Sequence, residues 1–157
     1  LLKQHQKNSL SNPIENLEKY MQNIRYANFD DYELILRIDD SISKNRWKTW
    51  TVNKQAIFAF DDNEFLGWLQ YNYFIDKWPF VNRLYVFEKF QNKGAGTALM
   101  KFWEREMISK GENRLMLSTE SDNIGAQRLY SRLGYKCVGE LNLREENTEL
   151  IMLKDLL

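Results

Sequence analysis

The sequence predicts a single α/β domain built around a mixed β-sheet. Hydrophobic residues make up 43% of the 157 residues, and they occur in short runs separated by polar and glycine-containing turns. In the second half of the chain, strand-like runs alternate with helix-like segments, which is typical of α/β proteins. The length is sufficient for one hydrophobic core, and the chain contains no internal repeat or interdomain linker.

The chain opens with a polar stretch and a short amphipathic helix. Residues 1–12 are expected to form a loosely held arm. Asn12 is a favourable helix cap, and Ile14, Leu17 and Met21 then recur at helical spacing. We therefore expect a helix that packs with these three side chains against the edge of the domain.

The following elements are predicted from short hydrophobic runs and the turn signals between them. They are a strand at 24–27, a helical segment from Asp30 with Leu34, Ile35 and Ile38 on one face, a short helix or loop at 41–55, strands at 56–60, 64–74 and 80–87, a helix from about 97 to Gly111, a strand at 114–119, a helix at 124–133, and strands at 135–141 and 150–153. Gly111 and Gly134 are expected to end their helices. Cys137, in a strand, is expected to be buried and inert.

The scarce residues and the charge balance exclude several classes of function. Twenty-two basic residues balance twenty-two acidic ones, so the chain lacks the cationic surplus that nucleic-acid binding uses. Cys137 is the sole cysteine and His5 the sole histidine, which excludes a disulfide, a thiolate metal cluster, a catalytic zinc site and a histidine-assisted nucleophile. No hydrophobic run is long enough to cross a bilayer, and the first residues are too polar for a signal peptide. We therefore expect a cytoplasmic protein with no metal, nucleic-acid or membrane partner.

The most informative segment is a strand, a glycine-containing loop and a helix in direct succession. The strand contains Leu84, Tyr85 and Val86. The glycine loop consists of Gln91, Asn92, Lys93, Gly94, Ala95, Gly96 and Thr97. Glycine lets the backbone approach a phosphate, and the free N–H groups of a first helical turn favour negative charge. The sequence therefore predicts an anion site at this loop.

Two well-known phosphate-binding patterns do not fit the glycine loop. A Rossmann loop needs a third glycine three residues after Gly96, where this chain has Leu99, and an acid-bearing strand downstream. A P-loop needs Lys and then Ser or Thr after its last glycine, whereas Thr97 follows Gly96 directly. The pattern that is present is Gln-x-x-Gly-x-Gly, at Gln91, Gly94 and Gly96.

This pattern resembles the coenzyme A pyrophosphate loop of the GNAT acetyltransferase superfamily. A second segment that resembles the family follows the next strand, and it consists of Asn123, Ala126, Leu129, Tyr130, Leu133, Gly134 and Tyr135. Helical spacing puts Asn123, Ala126 and Tyr130 along one face, so that they can line one cleft. Together the two segments make the chain similar to GNAT proteins over roughly residues 24–153.

The resemblance implies the GNAT fold, in which a mostly antiparallel central sheet splays between its fourth and fifth strands and carries helices on both faces. Residues 1–22 would form the arm and first helix, and residues 23–157 the GNAT domain. The implied activity is transfer of an acetyl group from acetyl-coenzyme A to a small-molecule or peptide amine, by direct attack in a ternary complex, in a monomer or homodimer. Two alternatives stay open: an acyl-coenzyme A sensor of the same fold without turnover, and a nucleotide-binding protein whose glycine loop holds ATP or a dinucleotide.

The resemblance also implies which residues bind the coenzyme. They are Leu84, Tyr85, Val86, Gln91, Asn92, Lys93, Gly94, Ala95, Gly96, Thr97, Asn123, Ala126 and Tyr130. The Val86 backbone would pair with the pantetheine arm as an added strand, and N–H groups of the glycine loop would hold the pyrophosphate. Lys93 fits a solvated surface lysine equally well, and Asn123 also fits a plain helix N-cap.

Three catalytic roles follow from the same resemblance. The Leu84 N–H would polarise the thioester carbonyl, and Tyr130 would protonate the departing thiolate, with a core aromatic as its alternative. Histone-type members carry a glutamate where Phe80 stands here, so a water relay or a more remote acid must take the proton of the amine. Glu120 and Asp76 are the candidates for that acid.

Aromatic residues are concentrated before and within the strand that contains Phe80. They are Tyr71, Tyr73, Phe74, Trp78 and Phe80. In this fold the acceptor cleft is built from neighbouring loops and from early helices, here near Trp47 and Trp50. These aromatic residues are candidates for an apolar or cation-binding pocket, and some of them must belong to the core. The sequence does not identify the amine.

Overall fold

A computed structural model of the protein describes residues 12–143 and 147–156. Within these residues the helices are α1 (Pro13–Gln22), α2 (Tyr32–Leu36), α3 (Lys44–Val52), α4 (Ala95–Ser109) and α5 (Ile124–Arg132). The strands are β1 (Ile24–Tyr26), β2 (Ala56–Asp61), β3 (Glu64–Phe74), β4 (Trp78–Val86), β5 (Arg114–Glu120), β6 (Lys136–Asn142) and β7 (Thr148–Asp155). Short 3-10 turns lie at Phe29–Asp31 and Glu88–Phe90.

The strands of the described residues form one sheet in the order β1-β2-β3-β4-β5-β7-β6. Neighbouring strands are antiparallel except β4 and β5, which are parallel. A parallel pair requires a crossover connection, and the glycine loop with α4 provides it. This mixed, mostly antiparallel sheet confirms the predicted fold.

Helices cover both faces of the sheet. On one face, α1, α4 and α5 pack on a core that includes Leu69, Leu99 and Leu117. On the other face, α2 and α3 pack on a second core, in which the fully buried Trp47 ring lies 6.4 Å from the Trp68 ring. Alternate side chains of β2 and β3 enter the two cores, which explains why these strands contain almost continuous hydrophobic runs.

Capping residues determine where several helices begin and end. The Ile14 N–H donates to the Asn12 side chain at 3.1 Å, and this bond begins α1. Gly111 and Gly134 follow α4 and α5 with φ angles of 82° and 92°, in the left-handed region that glycine adopts without strain. Both predicted helix ends are confirmed.

The sheet opens into a wedge between β4 and β5. The two strands pair at Phe80 with Met116 and at Val81 with Leu117, and both then continue without further pairing. On the other side of β4, the ladder with β3 shifts register, so that Asn82 is an extra, bulged residue. The wedge confirms the splay that the sequence predicts.

Two packing predictions are wrong. Cys137 is exposed rather than buried, because β6 lies at the edge of the sheet and all of its side chains are exposed. Ile14 is 65% exposed, whereas Tyr20 is buried and Leu17 and Met21 pack against the core. The buried face of α1 is therefore centred closer to its C-terminus than the hydrophobic spacing indicates.

Two further predictions concern the start of the chain and its surroundings. The arm predicted for residues 1–12, with His5, lies outside the described residues apart from Asn12. Of the helices that the structure describes, none has the length and apolar character that crossing a membrane requires.

Candidate active site

The glycine loop joins β4 to α4 and lines an open cavity. Asn92 and Gly94 have left-handed conformations, with φ angles of 60° and 99°, which asparagine and glycine tolerate better than other residues. Gly94 is the N-cap of α4, and no side chain caps the helix there. The N–H groups of the first turn are therefore available to an anion.

This cavity, the loop cavity, has a volume of about 480 Å³. It brings together ten of the predicted coenzyme-binding residues, namely Leu84, Val86, Gln91, Asn92, Gly94, Gly96, Thr97, Asn123, Ala126 and Tyr130. A Cβ atom built at Gly96 would lie 3.6 Å from Leu129 Cδ2 and 3.9 Å from Val86 Cγ2. The missing side chain of Gly96 thus leaves space between two walls of the cavity.

One wall of the loop cavity is the unpaired edge of β4. The Phe87 N–H donates to a β3 carbonyl at 3.0 Å, and hydrogen-bonded residues alternate along an antiparallel ladder. The backbone groups of Tyr85 therefore face β3, whereas those of Leu84 and Val86 face the wedge. The Val86 carbonyl accepts a hydrogen bond from Gln91 Nε2 at 3.0 Å. The Leu84 N–H faces the wedge, where β5 makes no pairing at that position.

The opposite wall is α5, which presents Asn123, Ala126 and Tyr130 to the loop cavity. The Ala126 N–H donates to Asn123 Oδ1 at 3.1 Å, so Asn123 caps the helix. Asn123 therefore lines the cavity and also makes the capping bond that the sequence suggests as its alternative. The two functions use different atoms, because the amide nitrogen of Asn123 takes no part in the cap.

Tyr130 lies between the loop cavity and a second cavity, and it is 5% exposed. Its ring packs edge-on against the Tyr135 ring, with centroids 6.2 Å apart. Burial raises the pKa of Tyr130 to about 12, so the phenol keeps its proton at neutral pH. Within the part of the chain that the structure describes, its hydroxyl has no hydrogen-bond partner.

The second cavity, the acidic cavity, has a volume of about 440 Å³. Leu84, Asn123, Ala126 and Tyr130 line both cavities, so the two are parts of one cleft. The charged residues that line the acidic cavity are Asp39, Arg83, Glu120 and Glu149.

The charge of the acidic cavity is set by two carboxylates that form no ion pair with any described residue. Asp39 and Arg83 form an ion pair, and hydrogen bonds from Ser41 and then from Arg83 hold the pKa of Asp39 below its ordinary value. Because these two charges offset each other, the net charge comes from Glu120 and Glu149, which lie directly opposite each other on β5 and β7. The cavity is therefore suited to a cation.

Of the other residues singled out from the sequence, two line the acidic cavity and three line neither cavity. Tyr85 lines the acidic cavity rather than the loop cavity, and Glu120 lines it as well. The exposed Lys93 ammonium donates to a backbone carbonyl at 2.9 Å, and Ala95 is buried in the core. Asp76 lies in the turn between β3 and β4 and lines neither cavity. Among residues 12–143 and 147–156, no group of three or more His, Cys, Asp or Glu side chains is arranged to hold a metal ion.

The aromatic residues expected near the acceptor divide between the core and a third cavity. Tyr71 and Trp47 are buried in the two cores, and Trp50 packs against the second of them. Phe74 and Phe80 line a cavity of about 330 Å³, here called the aromatic groove. Their rings are stacked, with centroids 5.7 Å apart and an interplanar angle of 26°.

Several lining residues were not predicted from the sequence, and three of them bear on the charge and shape of the site. Arg132 lines the loop cavity, and Asn82 and Glu149 line the acidic cavity. Arg132 is a basic residue in the last turn of the helix that carries Tyr130, where a cation ordinarily interacts with the helix dipole, so its position gave no signal for an anion contact. Asn82 depends on the bulge in β4, and Glu149 on its register with Glu120. A single sequence specifies neither feature.

Known proteins resemble this chain in sequence. A model of the acetyltransferase (GNAT) family matches residues 16–135. The chain is 34% identical over 77 residues to spermine/spermidine N(1)-acetyltransferase of Bacillus subtilis. This match covers 48% of the chain and 49% of that protein, so the chain matches about half the length of the curated relative.

Solved structures share the fold at lower identity. Ard1 from Thermoplasma volcanium superposes with a TM-score of 0.75 and 18% identity, over 85% of this chain and 97% of that one. The PaiA N-acetyltransferase from Thermoplasma acidophilum, solved in complex with coenzyme A, has a TM-score of 0.70 and 20% identity, over 84% of this chain and 97% of that one. At these identities the similarity establishes the fold.

Proposed function

The chain belongs to the acetyltransferase (GNAT) family, and from this premise we propose that it transfers an acetyl group from acetyl-coenzyme A to an amine nitrogen in a ternary complex. One observation carries the proposal: three features meet in a single cleft. They are the glycine loop, the edge of β4 at Leu84 that faces the wedge, and the buried phenol of Tyr130.

The residues of the loop cavity fit the chemistry of the coenzyme. The N–H groups at the start of α4 and the guanidinium of Arg132 would hold the pyrophosphate. The space left by the missing side chain of Gly96 would accept the pantetheine arm that follows the pyrophosphate. The Val86 N–H would donate to the pantetheine arm, because Gln91 already occupies the Val86 carbonyl.

Leu84 and Tyr130 would act on the two ends of the bond that breaks. The Leu84 N–H would donate to the thioester oxygen and stabilise the negative charge that develops there. The lone pair of the amine attacks the carbonyl carbon, so that a C–N bond forms, the C–S bond breaks, and the nitrogen releases to water the proton that restores the phenol. Tyr130 would supply its proton to the departing sulfur, since it is protonated at neutral pH and faces the cleft.

Glu120 is the carboxylate that we propose as the acceptor of the amine proton. It lines the acidic cavity together with Leu84 and Tyr130, whereas Asp76 does not. The incoming ammonium must lose a proton before it attacks, and a water molecule between the nitrogen and Glu120 would carry that proton. The strand β4 offers no carboxylate closer to the site, since residues 80–86 contain none.

The two ends of the cleft differ in charge, and this difference supports a different ligand at each end. The loop end carries helix N–H groups and Arg132, and the other end carries Glu120 and Glu149. We assign the first to the coenzyme phosphates and the second to a cationic amine. The name of the Bacillus subtilis relative supports including polyamines among the acceptors tested. The cytoplasmic location and the choice between monomer and homodimer stay predictions.

An amine-panel assay tests the proposed function. Purified protein is mixed with acetyl-coenzyme A and with n-butylamine, spermidine, an aminoglycoside, an amino acid or a peptide with a free N-terminus. We expect thiol release and acetylated amine in equal amounts with at least one acceptor, detected by a thiol reagent and by mass spectrometry. Coenzyme binding without product from any amine would support the sensor instead. Thermal stabilisation by ATP or NAD but not by acetyl-coenzyme A would support the nucleotide-binding alternative.

A further inference from the structure

The cleft continues beyond the acidic cavity into the aromatic groove. Asn82, Ser118, Glu120 and Glu149 line both of these spaces. A molecule whose reacting nitrogen lies beside Tyr130 can therefore extend past the two glutamates and over Phe80 without leaving the cleft. The acceptor site is longer than one amino group requires.

The aromatic groove lies on the same face of the sheet as α2 and α3. These helices cover one half of that face, and the groove lies on the other half. Trp68 packs in the core beneath α3, and alternation along β3 places Asn72 on the same face. Asn72 is opposite Phe80, which in turn is opposite Met116 on β5, so Ser118 and Glu120 also share this face. No residue of β5, β6 or β7 belongs to the core beneath α2 and α3, as far as the described residues go. The groove is thus an open continuation of that face.

Glu120 and Glu149 are placed unfavourably for the stability of the sheet. They are directly opposite each other on β5 and β7, and like charges in this position repel across the ladder. Neither forms an ion pair with a residue that the structure describes. At the other end of the same strand pair, Arg114 and Asp155 are opposite each other and form an ion pair at 2.7 Å. The β5–β7 ladder therefore pairs opposite charges at the end that is away from the cleft. It pairs like charges at the end that lines the cleft.

A second observation concerns the polar group that a molecule in the acidic cavity would meet. Tyr130 lines it, is 5% exposed, and has a hydroxyl without a hydrogen-bond partner among the described residues. The hydroxyl is not one of the fully buried atoms without a partner, so it opens into the cavity, where a bound molecule can reach it. The apolar walls beyond the glutamates, formed by Phe74, Phe80 and Ile151, suit a methylene chain, and their aromatic rings can also receive an ammonium.

We propose that the acceptor is an aliphatic polyamine, bound with a non-reacting ammonium at Glu149, while Glu120 serves the reacting nitrogen. Its reacting nitrogen lies beside Leu84 and Tyr130, and the methylene chain that joins its non-reacting nitrogens lies in the aromatic groove against Phe80. Glu149 determines specificity in this arrangement, because it adds the second negative charge that a monoamine does not need. This inference rests on the proposed function and names the substrate class of that site.

The test compares Glu149→Gln with wild type on spermidine and on n-butylamine. Glutamine keeps the shape of the side chain and removes its charge, and Glu140→Gln, on the exposed strand β6, is the matched control. We expect the KM for spermidine to rise about tenfold more than the KM for n-butylamine in Glu149→Gln, the effect of losing one charge from a close ion pair. Glu140→Gln should leave both values unchanged. The melting temperature of Glu149→Gln should equal or exceed that of wild type, because repulsion across the ladder is relieved.

Further outcomes separate this inference from the proposed function. Equal changes in KM for the two amines, or a wild-type enzyme that does not prefer spermidine, would overturn the polyamine site while leaving acetyl transfer intact. If wild type turns over no amine, calorimetric titration of spermidine into the coenzyme complex decides the matter. Weaker binding to Glu149→Gln than to wild type would then support the site without the activity, and equal binding would refute it.

Discussion

Tyr130 is the residue on which the proposed chemistry depends most directly. Burial raises its pKa to about 12, and its side chain lines both the loop cavity and the acidic cavity. Tyr130→Phe removes the hydroxyl and keeps the ring. If the phenol protonates the leaving thiolate, kcat should fall by roughly tenfold to a thousandfold. The KM for acetyl-coenzyme A should change little, and steady-state measurement of thiol release gives both values.

Tyr135→Phe is the matched control for that substitution. Tyr135 is 2% exposed and packs against the Tyr130 ring, but it lines neither the loop cavity nor the acidic cavity. Removal of the Tyr135 hydroxyl in Tyr135→Phe should leave kcat near the wild-type value. Full turnover in Tyr130→Phe would mean that solvent protonates the thiolate and that the Tyr130 ring serves packing.

Gly96 is the second residue with a clear expected effect. Leu129 and Val86 lie 3.6 Å and 3.9 Å from the position of its missing Cβ, so a valine would fill space that the coenzyme requires. Gly96→Val should raise the KM for acetyl-coenzyme A by about tenfold or more, while the free energy of unfolding changes by less than about 1 kcal/mol. Gly139→Val is the control, since no atom lies within 4 Å of a Cβ at that position. Normal coenzyme affinity in a folded Gly96→Val protein would mean that the glycine loop does not bind the coenzyme.

At the residue scale, the sequence predicted those parts of the site whose chemistry is local. Gly94 and Gly96 lie at the start of α4, and Asn123 and Tyr130 share one helix face, so their spacing alone brings them to one cavity. Glu149 could not be predicted in this way. Its place depends on the register between two strands, which is a property of the folded sheet.

The strand pair β3–β4 is the element that holds the wedge in place. A Cβ atom at Gly67 would lie 2.1 Å from the Tyr85 carbonyl oxygen and 2.8 Å from Val86 Cα. Only glycine allows the two backbones to approach so closely. Gly67→Ala should therefore push β4 away from β3 and lower the free energy of unfolding by about 1–3 kcal/mol.

The same displacement would move the backbone of Leu84 and Val86, so the KM for acetyl-coenzyme A should rise as well. Urea unfolding and steady-state kinetics measure the two effects. Gly139→Ala, on the exposed edge strand, serves as the control for introducing a methyl group into a strand. A Gly67→Ala protein as stable as wild type would show that β3 can shift without disturbing the site.

Elements were predicted better than their environments. The helix ends at Gly111 and Gly134 depend on local backbone conformation, and the sequence predicts them directly. The burial of Cys137 was wrong because it depends on the position of β6 at the sheet edge, and strand order is not a local property. The bulge at Asn82 escaped prediction for the same reason, since it arises only when β3 and β4 pair.

On the scale of the whole molecule, a neutral chain presents a cleft with a strong internal polarity. The formal net charge is zero, yet Arg132 and the start of α4 lie at one end of the cleft, and Glu120 and Glu149 at the other. On the proposed function, this arrangement would direct an anionic coenzyme and a cationic amine to opposite ends of the same site. Composition could not show it, because composition averages over the surface.

Buried tyrosines make the stability of the whole molecule sensitive to alkaline pH. Burial is the main cause that raises the pKa of Tyr130 to about 12 and lifts the pKa of Tyr135 further still. In the unfolded chain both phenols ionise near a pKa of about 10. Their contribution to stability is therefore complete below about pH 10 and is lost as the pH rises toward the folded-state pKa, because the unfolded state then releases protons that the folded state retains. Between about pH 8 and about pH 11, we expect the free energy of unfolding to fall by about 1.4 kcal/mol for each of these two phenols.

Urea unfolding at about pH 8 and about pH 11 measures this loss in wild type and in the two phenylalanine variants. Tyr130→Phe has no phenol to ionise at that position, so it should lose about 1.4 kcal/mol less than wild type over the same interval. Tyr135→Phe should show a similar reduction, since burial is the first cause of both shifts. An unchanged pH dependence in Tyr130→Phe, together with a reduced one in Tyr135→Phe, would mean that solvent reaches the Tyr130 hydroxyl through the cleft. The phenol would then ionise near its ordinary pKa in the folded protein, and the retained proton on which its role as a general acid depends would be lost at alkaline pH.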